Sequence, residues 1–464
     1  QSISLLARSA SHSDPPRLGS FGAVFIMLKS ALGAGLLNFP WAFQKAGGVT
    51  TAISVELVSL VFLISGLVIL GYASSVSRQK TYQDVVREVC GQAVGQLCEV
   101  CFCFNLFMIS VAFLVVVQDQ LEKLCDQFLT IRPLHHVPRH HPTAVHPKGN
   151  RYPEIHKVLG TSLCSERHLA ERKCLCELIV SLHVSVLGTL AATYLCVAVI
   201  VKYYLMDSHT AVITPDSWAS MFSVVPTICF GFQCHEACIA IYSSMENQKL
   251  SHWVVISVLS MFFCLLIYTL TGVYGFMTFG RAVASDILMS YPGNDVVMII
   301  SRLLFGISII TIYPIILLLG RYVTPEWKCF VLCVCLPPCC VSVWNRSVVL
   351  NLMLRVQRRR RGIVTHSFES RCRVALTVVW ITFTLLIAMF VPDMGQVISV
   401  IGGISAFFIF IFPGLCLMFT MQSDNISPRV RAISTVWGVV TIVVGTFIFG
   451  QSTTIAVMEI FQNF

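Results

Sequence analysis

The chain holds 464 residues, 56% of them apolar and only 12% charged, with a formal net charge of +9. Soluble domains carry about twice that share of charge, and here apolar residues collect into long runs such as Leu303 to Gly320 and Val374 to Val391. These figures exclude a disordered chain, a collagen or coiled-coil rod and nearly every soluble fold, and they specify an all-α polytopic membrane protein. Its positive charge sits mainly in loops, where it reads as cytosolic segments facing anionic membrane lipid and not as a nucleic-acid surface. Many of the 20 cysteines fall inside apolar stretches, where a thiol packs as a small hydrophobe, so they do not specify a disulfide scaffold.

In chain order, residues 1–19 form a polar, weakly basic tail. Apolar segments follow at about 21–46, 52–73, 100–118, 182–206, 218–243, 253–279, 296–320, 374–391, 397–421 and 434–457. Each can cross a hydrocarbon layer about 30 Å thick as a helix rising 1.5 Å per residue. Short-loop basic charge sets the orientation. Arg8, Arg17, Arg78, Lys80, Arg87, Lys249, the ten basic residues of the 321–373 loop, Arg429 and Arg431 mark one side. Asp207, Asp216, Asp286, Asp295 and Asp393 mark the other. The bias puts residues 1–19 in the cytosol.

One count does not close. The loops at 77–96 and 244–252 both read as cytosolic, yet three spans separate them where an even number is required. The suspect is 122–181, an atypical His-rich polar segment with His135, His136, His140, His141 and His146 among scattered prolines. It offers no stretch suited to lipid. The histidines lack the compact spacing of a structural metal site, so the segment reads as a flexible lumenal or extracellular loop, or an aberrantly spliced one, and no metal site is expected. The 321–373 loop carries Arg358 to Arg361 and a Cys-rich insert, Cys329 to Cys340, whose apolar run is short for a membrane span.

Two segments carry candidate chemistry. The first span combines Lys29, the Gly33-Ala34-Gly35 step and Pro40; the 218–243 span combines Pro226, Gly231, Gln233, His235 and Glu236. Proline removes a helical donor and glycine tolerates unusual backbone angles, so both segments are expected to break near mid-membrane and free backbone groups. Broken backbone is tolerated there only where it lines a cavity or a protein interior. A tight glycine contact with a proline kink is the plainer reading of the first segment. Interrupted segments at matching positions of two halves point to a transporter's substrate site. Glu56, Asn105, Ser308, Thr311 and Ser405 are further polar candidates, although serine and threonine often bond to their own helix backbone. No nucleotide loop, metalloprotease motif or serine-nucleophile elbow is present in the sequence, so an enzyme is not expected and transport would run on a gradient.

The blocks G-A-G-L-L-N-F-P-W-A-F at 33–43, S-G-L-V-I-L-G-Y at 65–72, P-T-I-C-F-G-F-Q-C-H-E at 226–236, L-T-G-V-Y-G-F-M-T-F-G at 270–280, S-Y-P-G-N-D at 290–295 and I-G-G-I-S-A-F-F-I-F-I-F-P-G-L-C-L at 401–417 resemble the sodium-coupled neutral amino acid transporters of the amino acid/auxin permease class. The resemblance covers nearly all of the chain outside 1–17, 130–183 and 325–370. It implies two inverted five-helix repeats, 20–206 and 218–421, with broken first and sixth helices, and an eleventh helix at 434–457. The family's fourth helix falls on the His-rich segment, so it is missing or altered here.

The resemblance further implies a neutral amino acid substrate, glutamine above all, with alanine or histidine open, carried with Na⁺ by alternating access. Backbone groups of Gly33, Ala34 and Gly35 would hold the substrate carboxylate, and Asn38 is a further substrate-binding candidate. Carbonyls of Phe230, Gly231 and Phe232 would take its amino group, and Gln233 or Asn105 would read an amide side chain. Family members commonly place asparagine where this chain has Lys29, beside a hydroxyl whose positional match is Thr311, with Ser308 nearby. An ammonium there would stand in the place of the cation and oppose Na⁺. An amino acid sensor, a channel, and a proton-linked or sodium-independent carrier remain alternatives. No cofactor is expected beyond the coupling ion. The expected location is a multi-pass position in the plasma membrane in preference to a lysosomal one, in an oligomeric state left open.

Overall fold

The structure, a computed structural model, describes residues 18–130, 166–206, 218–322, 366–390, 394–422 and 427–462, with side chains over 18–124, 184–206, 220–310, 378–390, 394–422 and 427–458. Residues 1–17, the histidines His135 to His146, and the Cys-rich and Arg-rich parts of the 321–373 loop lie outside the described residues.

Among the described residues every element is helical: α1 (Ser20–Ala31), a 3₁₀ turn (Ala34–Asn38), α2 (Phe39–Lys45), α3 (Val49–Ser77), α4 (Tyr82–Cys90), α5 (Gln92–Thr130) and α6 (Glu166–Leu205). A second 3₁₀ turn (Trp218–Val224) leads into α7 (Val225–Gly231), α8 (His235–Ser244), α9 (Leu250–Phe279), α10 (Ile287–Ser290) and α11 (Val296–Tyr322). The chain continues as α12 (His366–Phe390), α13 (Met394–Ala406), a π turn (Phe407–Ile411), α14 (Phe412–Thr420) and α15 (Pro428–Gln462). Among the described residues the one extended pairing is a bridge between Leu18 and Met245.

Every apolar segment read from the sequence falls on a helix, as it must where no water can satisfy an open backbone. Among the described residues seven helical spans are long and apolar enough to cross a membrane, eight if the bent α1–α2 pair counts as one, and Val296–Ile310 and Val378–Phe390 are shorter apolar helices. Two connections differ from expectation. The 77–96 loop contains α4, whose N-cap Thr81 accepts from the Asp84 N–H at 3.3 Å and donates to the Asp84 carboxylate at 2.6 Å. That reciprocal cap satisfies an otherwise orphaned first-turn donor. Arg87 then ties α4 to Glu99 of α5 and pairs with Asp84. The polar 122–181 segment is also helical at both ends, because α5 runs on to Thr130 and α6 begins at Glu166. Charged and amide residues that cannot sit in lipid are good helix formers outside it.

The two interrupted spans lie against each other and run in opposite directions. Leu18, just before α1, pairs with Ser244 and Glu246 at the end of α8 through backbone bonds of 2.8 and 3.0 Å. At the opposite ends, the Ser220 hydroxyl donates to Ala46 O, just past α2, at 3.4 Å. Between these anchors, an added Cβ on Gly35 would sit 2.8 Å from Gly231 Cα. Lipid gives helices little hydrophobic reason to associate, so close backbone approach at small residues does much of the work. Gly272 and Gly275 of α9 admit Phe43 and Pro40, Gly71 of α3 admits Trp253, and Gly402 of α13 lies against the backbone of Pro226.

Candidate functional site

The first break lies between α1 and the 3₁₀ turn, where the axis bends by 48°. Gly33 is extended, with φ −123° and ψ −151°, a conformation open to any residue. The first turn bond beyond it joins Leu36 N–H to Gly33 O at 3.1 Å, so the N–H groups of Ala34 and Gly35 precede the ladder. Pro40 does not make this break. It occupies the first turn of α2, as Pro226 does in α7. A proline there loses no hydrogen bond, because that turn's N–H groups lack partners in any helix. Each proline therefore starts the helix that follows.

The second interruption spans Phe232 to Cys234, between α7 and α8. Its carbonyl end meets α9: the Tyr268 hydroxyl lies 2.7 Å from Gly231 O and 2.7 Å from Ala31 O, the last carbonyl of α1. Tyr268 is fully buried. Its ring stacks on Phe39 at 4.2 Å between centroids and packs beside Phe232 at 4.8 Å. Nothing in the local sequence distinguished Tyr268, a tyrosine within an apolar helix whose partners are 37 and 237 residues away.

The predicted site residues fall into three places. Gly33, Ala34, Gly35, Phe230, Gly231 and Phe232 lie at the paired breaks. Asn38 is buried beside them and already engaged: its amide donates to Ser285 O at 2.8 Å, and its carbonyl accepts from Thr227 at 2.8 Å. Asn105 of α5 donates to Glu236 at 2.7 Å, Gln233 also interacts with Glu236, and Ser405 of α13 donates to Gln233 at 2.6 Å. These four polar side chains make two hydrogen-bonded pairs side by side between α5, the second break and α13, read from the sequence only as separate residues.

Lys29 forms the third place. It is 8% exposed, and its ammonium donates to the Ser308 hydroxyl of α11 at 2.5 Å, so it does not snorkel to the interface. Gly188 of α6 makes the room: a Cβ there would collide with the end of the lysine chain. No ion pair to Lys29 is found among the described residues. The side chain of Thr311 lies outside those described. Glu56 of α3, 1% exposed, accepts from Thr269 at 2.7 Å, which accounts for one of its two oxygens.

Above the breaks, the loop between α9 and α11 is fastened to both halves. Ser285 O takes the Asn38 amide, while Asp286 accepts from Leu288 N–H at 2.8 Å and from Gln120 of α5 at 2.6 Å. Arg302 donates to the Leu288, Tyr291 and Pro292 carbonyls at 2.9–3.3 Å. Burial and the nearby Asp119 carboxylate push the Asp286 pKa up to about 7, against the opposing pull of Leu288 N–H, Arg302 and Gln120. Lys202 pairs with Asp295 at the same end. Among the described residues no group of three or more His, Cys, Asp or Glu is placed to hold a metal ion.

A family model described as "Transmembrane amino acid transporter protein" matches residues 17–458. The chain is 54% identical over 479 residues to "Putative sodium-coupled neutral amino acid transporter 8" of Xenopus tropicalis, covering 100% of this chain and 99% of that one. It is 52% identical to "Solute carrier family 38 member 8" of Homo sapiens, over 96% of this chain and 95% of the other. It is 37% identical to "Sodium-coupled neutral amino acid transporter 7" of Danio rerio, over 97% and 90%. A solved structure of MhsT with L-phenylalanine aligns over 92% of this chain and 98% of that one at 12% identity and a TM-score of 0.48, a likeness too remote to transfer any detail.

Proposed function

The chain belongs to the transmembrane amino acid transporter family, carriers and not enzymes, and from that premise we propose that it moves neutral amino acids, glutamine above all, by sodium-coupled alternating access. The observation that carries this reading is the antiparallel docking of two interrupted spans with Gly35 against Gly231. Two elements of opposite direction, broken at the same depth, are what an inverted repeat places around a mid-membrane site. The repeats are 20–206 and 218–421, with α15 as the final helix. Alanine and histidine are secondary substrates to test, and the plasma membrane is the proposed location.

In this reading the amides of Ala34 and Gly35 face the substrate carboxylate, since a helix start presents unpaired donors and partial positive charge. Ala31 O and Gly231 O, at the ends of α1 and α7, attract the ammonium. Gln233, held by Ser405, and Asn105, held by Glu236, present amide groups to a polar side chain. Asn38 spaces the two breaks instead of offering itself as a ligand, because both ends of its amide are used by the protein. Lys29 and Ser308, with Thr311 as the positional partner, mark the cation site. An ammonium there opposes Na⁺ by like-charge repulsion, so the lysine tunes the sodium requirement upward. The same contact favours a second reading, sodium-independent carriage with Lys29 as a permanent cation.

Purified protein in lipid vesicles distinguishes the two. The primary reading predicts radiolabelled glutamine uptake driven by an inward Na⁺ gradient and abolished when the gradient is removed. Equal uptake with and without Na⁺ establishes the second. Binding of glutamine without flux refutes transport and leaves a sensor.

A further inference from the structure

Tyr268 places one hydroxyl between two carbonyls that no helix can satisfy. Ala31 O closes α1 and Gly231 O closes α7, and both lie 2.7 Å from the phenol oxygen. A phenol has a single proton to donate. Ala31 O also takes the Gly33 N–H at 2.8 Å, whereas among the described residues Gly231 O is met by the Tyr268 hydroxyl, so one proton is divided between two carbonyls of unequal need. The Gly33 amide interacts with the phenol oxygen as well. The ring is held in position by stacking on Phe39 at 4.2 Å. It rides on the α9 face whose Gly272 and Gly275 let Phe43 and Pro40 pack close.

An ammonium group carries three protons and a full charge, so it can donate to Gly231 O and Ala31 O at once, which the single phenol proton cannot. We propose that Tyr268 is a positioning residue whose hydroxyl clasps the two helix ends when no amine is present and yields them to the ammonium of the substrate. This deepens the proposed transport function, since it rests on those carbonyls being the amine's acceptors. Nothing else in the described structure joins Ala31 O to Gly231 O directly, so the clasp also couples the two broken helices before substrate arrives.

The test compares the full-length protein with Tyr268→Phe in vesicles, reading the half-saturation concentration separately from the maximum rate and correcting for abundance. Removing a competing hydrogen bond of ordinary strength should lower the half-saturation concentration for glutamine roughly three- to tenfold. Inhibition by the analogue of glutamine that lacks the α-amino group should not change, because that ligand never displaces the hydroxyl. A half-saturation concentration that is unchanged or raised overturns the proposal, and so does an equal gain for the amine-free analogue. A purely structural tyrosine would alter abundance and leave both ratios alone. Where Tyr268→Phe fails to accumulate, 3-fluorotyrosine at position 268 supplies the second measurement. Its fluorine resonance should move on adding glutamine and stay put with the amine-free analogue, and a resonance that ignores glutamine refutes the clasp. Absence of glutamine uptake by the unsubstituted protein contradicts the transport reading itself. Saturable uptake with an unaltered variant contradicts only the role of Tyr268.

Discussion

Gly33 and Gly35 are two residues apart and look interchangeable in the sequence, yet the structure separates them. A Cβ on Gly35 would meet Gly231 Cα at 2.8 Å, Gly231 N at 3.2 Å and the Phe230 ring at 3.3 Å. Relaxed carbon–carbon contacts lie at about 3.5–4.0 Å, so one backbone must retreat by roughly 0.7–1.2 Å from another that is equally rigid. Overpacking of this kind costs about 1–3 kcal/mol, which corresponds to roughly a 5- to 150-fold loss of the productive arrangement. A Cβ on Gly33 meets only Ala31 O at 3.9 Å, and its backbone suits any residue. Gly35→Ala should therefore lower initial glutamine uptake per molecule at least about fivefold, while Gly33→Ala stays within about twofold of the parent, the range of a surface change. Gly306→Ala, with nothing within 4 Å of the new methyl, is the control. Uptake is measured in vesicles and normalised to the amount of reconstituted protein. Normal uptake by Gly35→Ala, or equal impairment of Gly33→Ala, would refute the close-approach account of the paired breaks.

Gly188→Ala should push the Lys29 ammonium off Ser308, and Lys29→Asn should remove it. Both should lower the Na⁺ concentration needed for half-maximal uptake, the second by about tenfold on the scale of a like-charge repulsion in a partly buried site. Sodium titrations that superimpose on the parent would exclude a cation role for Lys29. Asp286 is protonated more readily in the folded loop than in an open one, so the loop has its full stability below the ordinary carboxylate range, near pH 4. It then weakens as pH rises towards about 7. The protection of amides over 283–291, after correction for the intrinsic base-catalysed exchange rate, should accordingly be greater at pH 6 than at pH 8, and Asp286→Asn should erase that difference in protection. A difference that persists in the variant places the titrating group elsewhere. The sequence reading in which the His-rich segment supplies no crossing predicts that an epitope before Ser20 and one in the 321–373 loop lie on opposite sides of the membrane in selectively permeabilised cells. Cytosolic exposure of both would require an additional crossing between 119 and 181.

Membrane crossings were legible because each must be a long apolar run, and the breaks because Gly33-Ala34-Gly35 and Gly231 interrupt such runs. The role of the prolines was not. Pro40 and Pro226 carry the same local signal whether they break a helix or begin one, and only the position of the preceding turn decides. Helix α4 escaped notice because nine amphipathic residues between two spans resemble an ordinary loop until Thr81 is seen capping Asp84. Tyr268 and Gly188 were illegible for a different reason. Their significance arises from partners more than a hundred residues away, Ala31 for the tyrosine and Lys29 for the glycine, and a single sequence does not encode such contacts locally. Lys29 itself was conspicuous as a charge in an apolar run, but its choice between the interface and Ser308 depended on the space that Gly188 leaves.

The central claim is that one site, formed where the two broken spans meet, is opened alternately to either side. Trans-stimulation tests it most directly: vesicles containing the purified protein are preloaded with unlabelled glutamine at equal Na⁺ on both sides, and entry of labelled glutamine is timed. Alternating access predicts saturable entry that is faster into loaded than into empty vesicles, with the acceleration lost in Gly35→Ala. Entry that rises linearly with concentration and ignores the internal glutamine would describe a channel and contradict the account.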